Sequence, residues 1–171
     1  TEVVDDLEKN RRFSLAMATL SNRAYERLPL VNEGAIATIT KLAKLDDLAT
    51  KTSCSTTFAN LSSDRSCARA VIDEGGVEAI VALSKHPDCN IQAHCARAIC
   101  NLSAYPGMER KLIGAGAVKG IVGMKFRHKR ITKAAVTALA NLACVPQMYE
   151  HLEEVNSAIC FLCKADDRCI E

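Results

Sequence analysis

The sequence predicts an all-α solenoid, which is a stack of repeated helical units. The prediction rests on a repeat period of about 41 residues and on the amino-acid composition. Asn60, Asn101 and Asn141 are separated by 41 and 40 positions, and markers in register are typical of repeat arrays. Aromatic residues make up only 4% of the chain and Trp is absent, so the core must consist of aliphatic residues, Ala and Cys, which suits close-packed helices. Two further sets of residues are each spaced by 41: Gly34, Gly75 and Gly116, and Asp6, Asp47 and Asp88.

Each unit is predicted to contain three helices, and the clearest unit lies at residues 63–103. Asp64 is a typical N-cap for the first helix, and Gly75 marks its end. The second helix should end before His86 and Pro87, and the third should begin after Asp88. Apolar residues of the third helix then recur at steps of three and four: Ile91, Cys95, Ala98, Ile99 and Leu102.

The period divides the chain into one continuous array. We expect a partial unit at residues 1–21, three complete units at about 22–62, 63–103 and 104–143, and a partial unit at 144–171. Because solenoid ends normally carry polar caps, we expect a longer parent array. Two residues depart from the pattern: Pro29 should truncate its helix, and Gly120 within a second helix indicates close packing.

The nine cysteines are interpreted as small buried hydrophobic residues in a reducing compartment, the cytoplasm or the nucleus. Cys160 and Cys163 have a CxxC spacing, but no second pair accompanies them, so no metal and no other cofactor is predicted.

The segments "VIDEGGVEAIVAL" and "QAHCARAICNLS" resemble the armadillo repeat, which has a glycine between its first two helices and an Asn-Leu pair near the end of the third. The resemblance covers essentially the whole chain. It implies a right-handed α-solenoid with a concave groove, in which Asn60, Asn101 and Asn141 hold the backbone of an extended peptide. An alternative stays open, since an asparagine near a helix end can also cap the helix or bind neighbouring backbone.

The neighbours of these asparagines indicate what the groove binds. Residues four, seven and eight positions before each asparagine share its helix face, and basic side chains outnumber acids there. We therefore predict a protein partner with an extended acidic or phosphorylated segment. The candidate groove residues beside the three asparagines are His94, Arg97, Thr56, Thr137, Lys133, Arg130, Arg11 and Arg12.

The resemblance also separates two kinds of groove. Importin-α-like armadillo proteins bind basic signals with a Trp four positions before the Asn, and this chain has no Trp. The charge pattern looks more like the β-catenin type of groove.

The basic run from Lys125 to Arg130 is interpreted as a solvated rim with at most an accessory role in binding. Nucleic acid is not favoured as a partner, because Phe126 is the only aromatic residue in the run and the net charge is only +2. No apolar run approaches the roughly 20 residues that span a bilayer, so no membrane association is predicted.

Sequence motifs of nucleophilic, phosphate-binding, zinc-dependent and dinucleotide-binding enzymes are absent, so the expected function is non-enzymatic. A second hypothesis comes from another class. The array would be a structural spacer or would associate with itself through its ends, within a larger multidomain protein such as a ubiquitin ligase or a signalling scaffold.

Overall fold

The computed structural model describes residues 2–126, 128–153, 155–157 and 159–160, and this part of the chain is helical and contains no strand. The prediction of an all-α fold is confirmed. The helices are α1 Glu2–Ser21, α2 Ala24–Asn32, α3 Ala35–Leu42, α4 Leu48–Leu61, α5 Arg65–Asp73, α6 Gly76–Ser84, α7 Cys89–Ser103, α8 Glu109–Gly114, α9 Ala117–Val122 and α10 Lys129–Leu142, followed by a 3₁₀ helix, Pro146–His151.

The helices stack in rows, as the period predicts. Helices α1, α4, α7 and α10, the third helices of consecutive units, pack side by side in one row. The second helices, α3, α6 and α9, form another row, and α2 packs on α5. Every unit therefore buries its apolar faces against its neighbours, which is how solenoids are stabilised.

Glycines make the turn between the first and second helices of each unit. Gly34, Gly75 and Gly116 have φ of 78°, 78° and 85°, in the left-handed region. A side chain is strained in this conformation, so glycine is the residue that fits the turn. The predicted glycine boundaries are confirmed.

Aspartates begin the third helices of two units. The carboxylate of Asp47 accepts the Thr50 N–H at 2.8 Å, and Asp88 caps α7 in the same way. The residue 41 positions after Asp88 is Lys129, and α10 starts there without a side-chain cap. The last complete unit therefore lacks the acidic group that its predecessors carry at this position.

The core is mainly aliphatic, as predicted, and Ile36, Ile80 and Ile99 are fully buried, but the aromatic side chain of Phe58 is fully buried as well. Cysteines take part in it: Cys54, Cys67 and Cys95 are buried free thiols. Burial raises the pKa of Cys54 to about 12, and it also raises the pKa of Cys95. These thiols stay protonated and serve as packing groups.

Two cysteines do not fit the interpretation of cysteines as buried hydrophobic residues. Cys144 and Cys160 are exposed, so the expectation of burial is wrong for them. Cys163 and Cys169 lie outside the described residues. No cluster of potential metal ligands occurs in the described part of the chain. Within the same part, no helix has the length and apolar character that crossing a membrane requires.

Pro29 lies inside α2 instead of truncating it, so that prediction is wrong. The carbonyl of Pro29 accepts the Glu33 N–H at 3.1 Å, which continues the helical turn beyond the proline. Pro29 is exposed, and in this position its ring costs the helix one hydrogen bond without ending it.

Candidate peptide-binding groove

The recurring asparagines connect neighbouring units. In each case the side-chain nitrogen Nδ2 donates a hydrogen bond to a serine hydroxyl at the end of the preceding third helix. The contacts are Asn60 to Ser21 at 3.1 Å, Asn101 to Ser62 at 3.2 Å and Asn141 to Ser103 at 3.1 Å. Of the alternative roles left open by the sequence, binding to neighbouring backbone is seen for Asn101, whose Nδ2 also donates to the Ala59 carbonyl.

The serines extend this connection to the backbone. Each hydroxyl donates to the carbonyl three residues earlier, at 3.0 Å for Ser21, 3.0 Å for Ser62 and 2.8 Å for Ser103. Because a hydroxyl both accepts and donates, it links the asparagine to a carbonyl near the end of the preceding third helix. A signal for this role was present in the sequence, since the three serines recur at a spacing of 41. The three serines were nevertheless not among the predicted groove residues.

The asparagines differ in what remains available to a ligand. Asn60 is 9% exposed, and its Oδ1 accepts a hydrogen bond from Arg97 Nη2 at 3.2 Å. Asn101 is half-buried, and its nitrogen donates both to Ser62 and, at 3.3 Å, to the Ala59 carbonyl. Asn101 thus retains its carbonyl oxygen, a hydrogen-bond acceptor, for a ligand.

A basic cavity of about 460 Å³ lies between α7 and α10, and we call it the α7–α10 cavity. It occupies the helical turns that precede Asn101 and Asn141, but neither asparagine lines it. No carboxylate lines it either, and its remaining wall is formed by Ala93, Cys100 and Ala134. The structure brings together five predicted residues here: His94, Arg97, Arg130, Lys133 and Thr137.

Crowding of positive charge affects two of these residues. Partial burial, and then the charge of Arg97, holds the pKa of His94 below its ordinary value, so the imidazole is neutral near pH 7. Partial burial of the guanidinium, and then the charge of Arg27, lowers the pKa of Arg97. An anion bound in the cavity would relieve this repulsion.

Arg27 was not expected near the groove, because it belongs to α2, a first helix. Its Nε donates to the Ser21 carbonyl at 2.8 Å, and its Nη1 donates to the Ser63 hydroxyl at 3.0 Å. Arg27 therefore joins the ends of two third helices, and its positive charge contributes to lowering the pKa of Arg97. The groove pattern gives no signal for it, since it is counted along third helices.

The two basic residues predicted on α1 have acidic partners. Arg11 binds Asp47 through Nε at 3.0 Å and Nη2 at 2.6 Å, and Arg12 binds Glu8 at 3.0 Å. The Thr56 hydroxyl, one unit further along, donates to a carbonyl of its own helix at 2.9 Å. The predicted groove is thus charge-matched near α1 and unmatched near α10.

The basic run is partly buried. Phe126 belongs to the core at 6% exposure, and the Lys125 N–H donates to Oε1 of buried Gln92 at 3.0 Å. Lys129 and Arg130 lie in the first turn of α10, and Arg127 lies outside the described residues. This arrangement brings Arg130 to the cavity wall.

Comparison with known proteins supports the same fold. Residues 64–104 match the Armadillo/beta-catenin-like repeat family. An engineered protein of known structure superposes with a TM-score of 0.72 and 25% identity over 88% of this chain. A designed armadillo repeat protein in complex with the peptide (KR)4 superposes with a TM-score of 0.72 and 23% identity over 85% of this chain.

The chain spans 63% of the length of each of these two structures. A third structure, of computationally designed armadillo repeat proteins for modular peptide recognition, is 20% identical over 91% of this chain and 74% of its own, with a TM-score of 0.71. No protein of established function matches the sequence significantly. The chain has the α-solenoid fold of armadillo repeat proteins, and residues 64–104 carry the sequence pattern of one such repeat.

Proposed function

We propose that this protein is a non-enzymatic scaffold that binds an extended acidic segment of a protein partner along α7 and α10. The observation that carries the proposal is the α7–α10 cavity, which is lined by three cationic side chains and His94 and, among the described residues, by no carboxylate. Charge-assisted hydrogen bonds from arginine and lysine to carboxylates are among the stronger polar contacts in proteins. A phosphorylated segment would satisfy the same side chains.

The asparagines would have a secondary role in this mechanism. Asn101 offers its carbonyl oxygen, which accepts a backbone N–H of the bound segment irrespective of sequence. Arg97, His94, Arg130 and Lys133 would then select acidic side chains. This division follows the general rule that backbone contacts give affinity and neighbouring side chains give specificity.

Two peptides of opposite charge test the charge of the cavity. The basic one is (KR)4, which a designed armadillo repeat protein binds in a known complex. We expect a fluorescein-labelled (DE)4 octapeptide to bind this protein, and (KR)4 to bind at least about ten-fold more weakly, because like charges repel across an interface. Fluorescence anisotropy measures both affinities. Added salt should weaken (DE)4 binding, since ions screen these contacts.

A charge-matched pair of variants locates the site. The double variant Arg130→Glu, Lys133→Glu should lose about ten-fold or more in (DE)4 affinity, because two attractive contacts become repulsive. The control, Lys41→Glu with Lys119→Glu, changes the net charge equally at exposed positions outside the cavity. Equal losses in the two variants, with both folded by circular dichroism, would show that the binding is not located in the cavity.

The same proposal places the protein in a reducing compartment, cytoplasmic or nuclear. Buried free thiols such as Cys54 and Cys95 in the packed core support this location. Proteins of oxidising compartments instead use cysteines for disulfides.

Self-association is a second candidate function, and exposed apolar side chains favour it. Leu15 on α1 and Tyr25 on α2 are 61% and 72% exposed, and Tyr149 beyond α10 is 72% exposed. Large apolar groups on a surface often mark interaction sites. Sedimentation velocity over a range of concentrations would detect a dimer, and Leu15→Glu with Tyr25→Glu should abolish a dimer formed through this end.

A further inference from the structure

A second cavity lies between the second helices α3 and α6, in a different row of helices from the groove residues. Its volume is about 570 Å³, and it shares no lining residue with the α7–α10 cavity. Volumes of 300–1,000 Å³ are typical of sites for small molecules. We call it the α3–α6 cleft.

A glycine lies at the contact between α6 and α9, the next pair of second helices along the row. A Cβ at Gly120 of α9 would lie 3.1 Å from Val81 Cγ2, and the Ser84 hydroxyl of α6 donates to the Gly120 carbonyl at 3.3 Å. Helix α9 therefore packs directly against α6. In α6 itself, the residue 41 positions before Gly120 is Ala79, and its methyl group lines the cleft toward α3.

The lining of the cleft has an apolar body and a positive end. Ala43, Ala79 and Leu83 form buried wall. Lys44 and Lys85 follow the C-terminal ends of α3 and α6 at equivalent positions of consecutive units, and both are exposed.

Two acidic residues near the cleft have basic partners, and one of these partners, Lys51, itself lines the cleft. Asp46 pairs with Lys51 at 2.9 Å, and Asp47 pairs with Arg11. Glu78 lies at the opposite end, where its carboxylate approaches within 3.9 Å of the position that a Gly75 Cβ would take. Within the described part of the chain, Lys44 and Lys85 form no salt bridge, so the cleft is positive at one end and negative at the other.

We propose that the α3–α6 cleft is a binding site for a small aliphatic carboxylate. The carboxylate would lie at Lys44 and Lys85, and the hydrocarbon chain would cover Ala43, Ala79 and Leu83. Glu78 fixes the orientation, because it repels an anion at the far end. This site does not depend on the groove, so the groove proposal can fail without affecting it.

Octanoate is the probe, titrated below its micelle concentration and followed by ¹H–¹⁵N NMR. We expect shifts in the amides of Gly75, Ala79 and Ala82 that saturate. Across butanoate, hexanoate and octanoate, binding should tighten about three-fold for each added methylene, as expected for burial of hydrocarbon. Acetate, which lacks the chain, and octanol, which lacks the charge, should each bind at least about ten-fold more weakly.

Two pairs of variants test the location. Lys44→Gln with Lys85→Gln should weaken octanoate binding about ten-fold, whereas Lys41→Gln with Lys119→Gln, an equal change in net charge outside the cleft, should not. Ala82→Leu should fill the cleft and abolish binding, whereas Ala37→Leu, on the exposed face of α3, should have no effect. Octanol binding as tightly as octanoate would overturn the proposal, and so would saturable shifts confined to α7 and α10.

Discussion

The junction between α1 and α4 and the junction between α7 and α10 come from the same repeat, yet their charges are arranged oppositely. In the first junction Arg11 of α1 binds Asp47. In the middle junction, between α4 and α7, the side-chain oxygen of Asn60 accepts a hydrogen bond from Arg97. In the last junction Arg130 and Lys133 face a cavity without any acidic lining residue. The difference teaches that equivalent repeat positions can be charge-matched in one junction and unmatched in another, although the asparagines recur in both.

The largest expected effect distinguishes Asp47 from Asp88, which hold the same repeat position. Both cap a third helix, but only Asp47 also binds an arginine of the preceding unit. We expect Asp47→Ala to lower the free energy of unfolding by about 2–3 kcal/mol, and Asp88→Ala by about 1 kcal/mol. Urea denaturation of both variants measures the difference.

The same contact predicts an acid dependence. The Arg11 guanidinium, together with hydrogen bonds from Thr50, holds the pKa of Asp47 well below its usual range. The stabilisation is therefore complete above the ordinary pKa of about 4 and is lost as pH falls further. Asp47→Ala should reduce the acid sensitivity of unfolding, and Arg11→Gln should reduce it in part. An acid profile that neither variant changes would contradict this assignment.

The next comparison concerns Asn60 and Asn101. Asn101→Ala should weaken (DE)4 binding about five-fold, because its unoccupied carbonyl oxygen can accept a peptide N–H. Asn60→Ala should leave the affinity unchanged or raise it slightly, since it releases Arg97. Fluorescence anisotropy with both variants makes the comparison, and circular dichroism checks that each is folded. Equal losses of affinity in the two variants would show that Arg97 is not hydrogen-bonded to Asn60 in solution.

A smaller effect distinguishes Thr40 from Val81 and Val122, which occupy its position in the next two units. The Thr40 hydroxyl is buried and has no hydrogen-bond partner among the residues that the structure describes. We expect Thr40→Val to raise the free energy of unfolding by about 0.5–1 kcal/mol, because it replaces an unsatisfied polar group with a methyl group of the same shape. Thr38→Val is the matched control, since the Thr38 hydroxyl donates to the Gly34 carbonyl at 3.1 Å, and it should not stabilise the protein.

The sequence predicted features that depend on one unit, and it missed features that depend on how two units fit together. The glycine turns and the caps at Asp47 and Asp88 follow from local backbone requirements, so the period located them. The cavity residues His94 and Arg97 followed from counting along one helix.

The contacts between units were not predictable in this way. Arg97 binding Asn60, and Arg11 binding Asp47, depend on the rotation between neighbouring units and on the side-chain rotamers that this rotation permits. Gly120 was recognised as a sign of close packing, but its partner Ser84 was not identified. Contacts between side chains of neighbouring units depend on how the units are stacked, and the sequence pattern of a single unit does not specify this stacking.

The smallest expected effect is a pH dependence at His94, whose equivalent one unit earlier is Ser53. Burial and the charge of Arg97 lower the pKa of His94, so the free protein holds this imidazole neutral near pH 7. Stability that depends on the neutral form is complete above the ordinary pKa of about 6.5 and is lost as pH falls below it.

A bound acidic peptide reverses this preference of His94 for the neutral form, because its negative charge favours the protonated ring. We therefore expect (DE)4 affinity to rise about two- to three-fold between pH 7.5 and 5.5, a range in which peptide carboxylates stay ionised, while the melting temperature of the free protein falls. His94→Gln should remove the rise in affinity, and His86→Gln, in the α3–α6 cleft, should leave it intact. If the affinity rises equally in both variants, the titrating group lies outside the α7–α10 cavity.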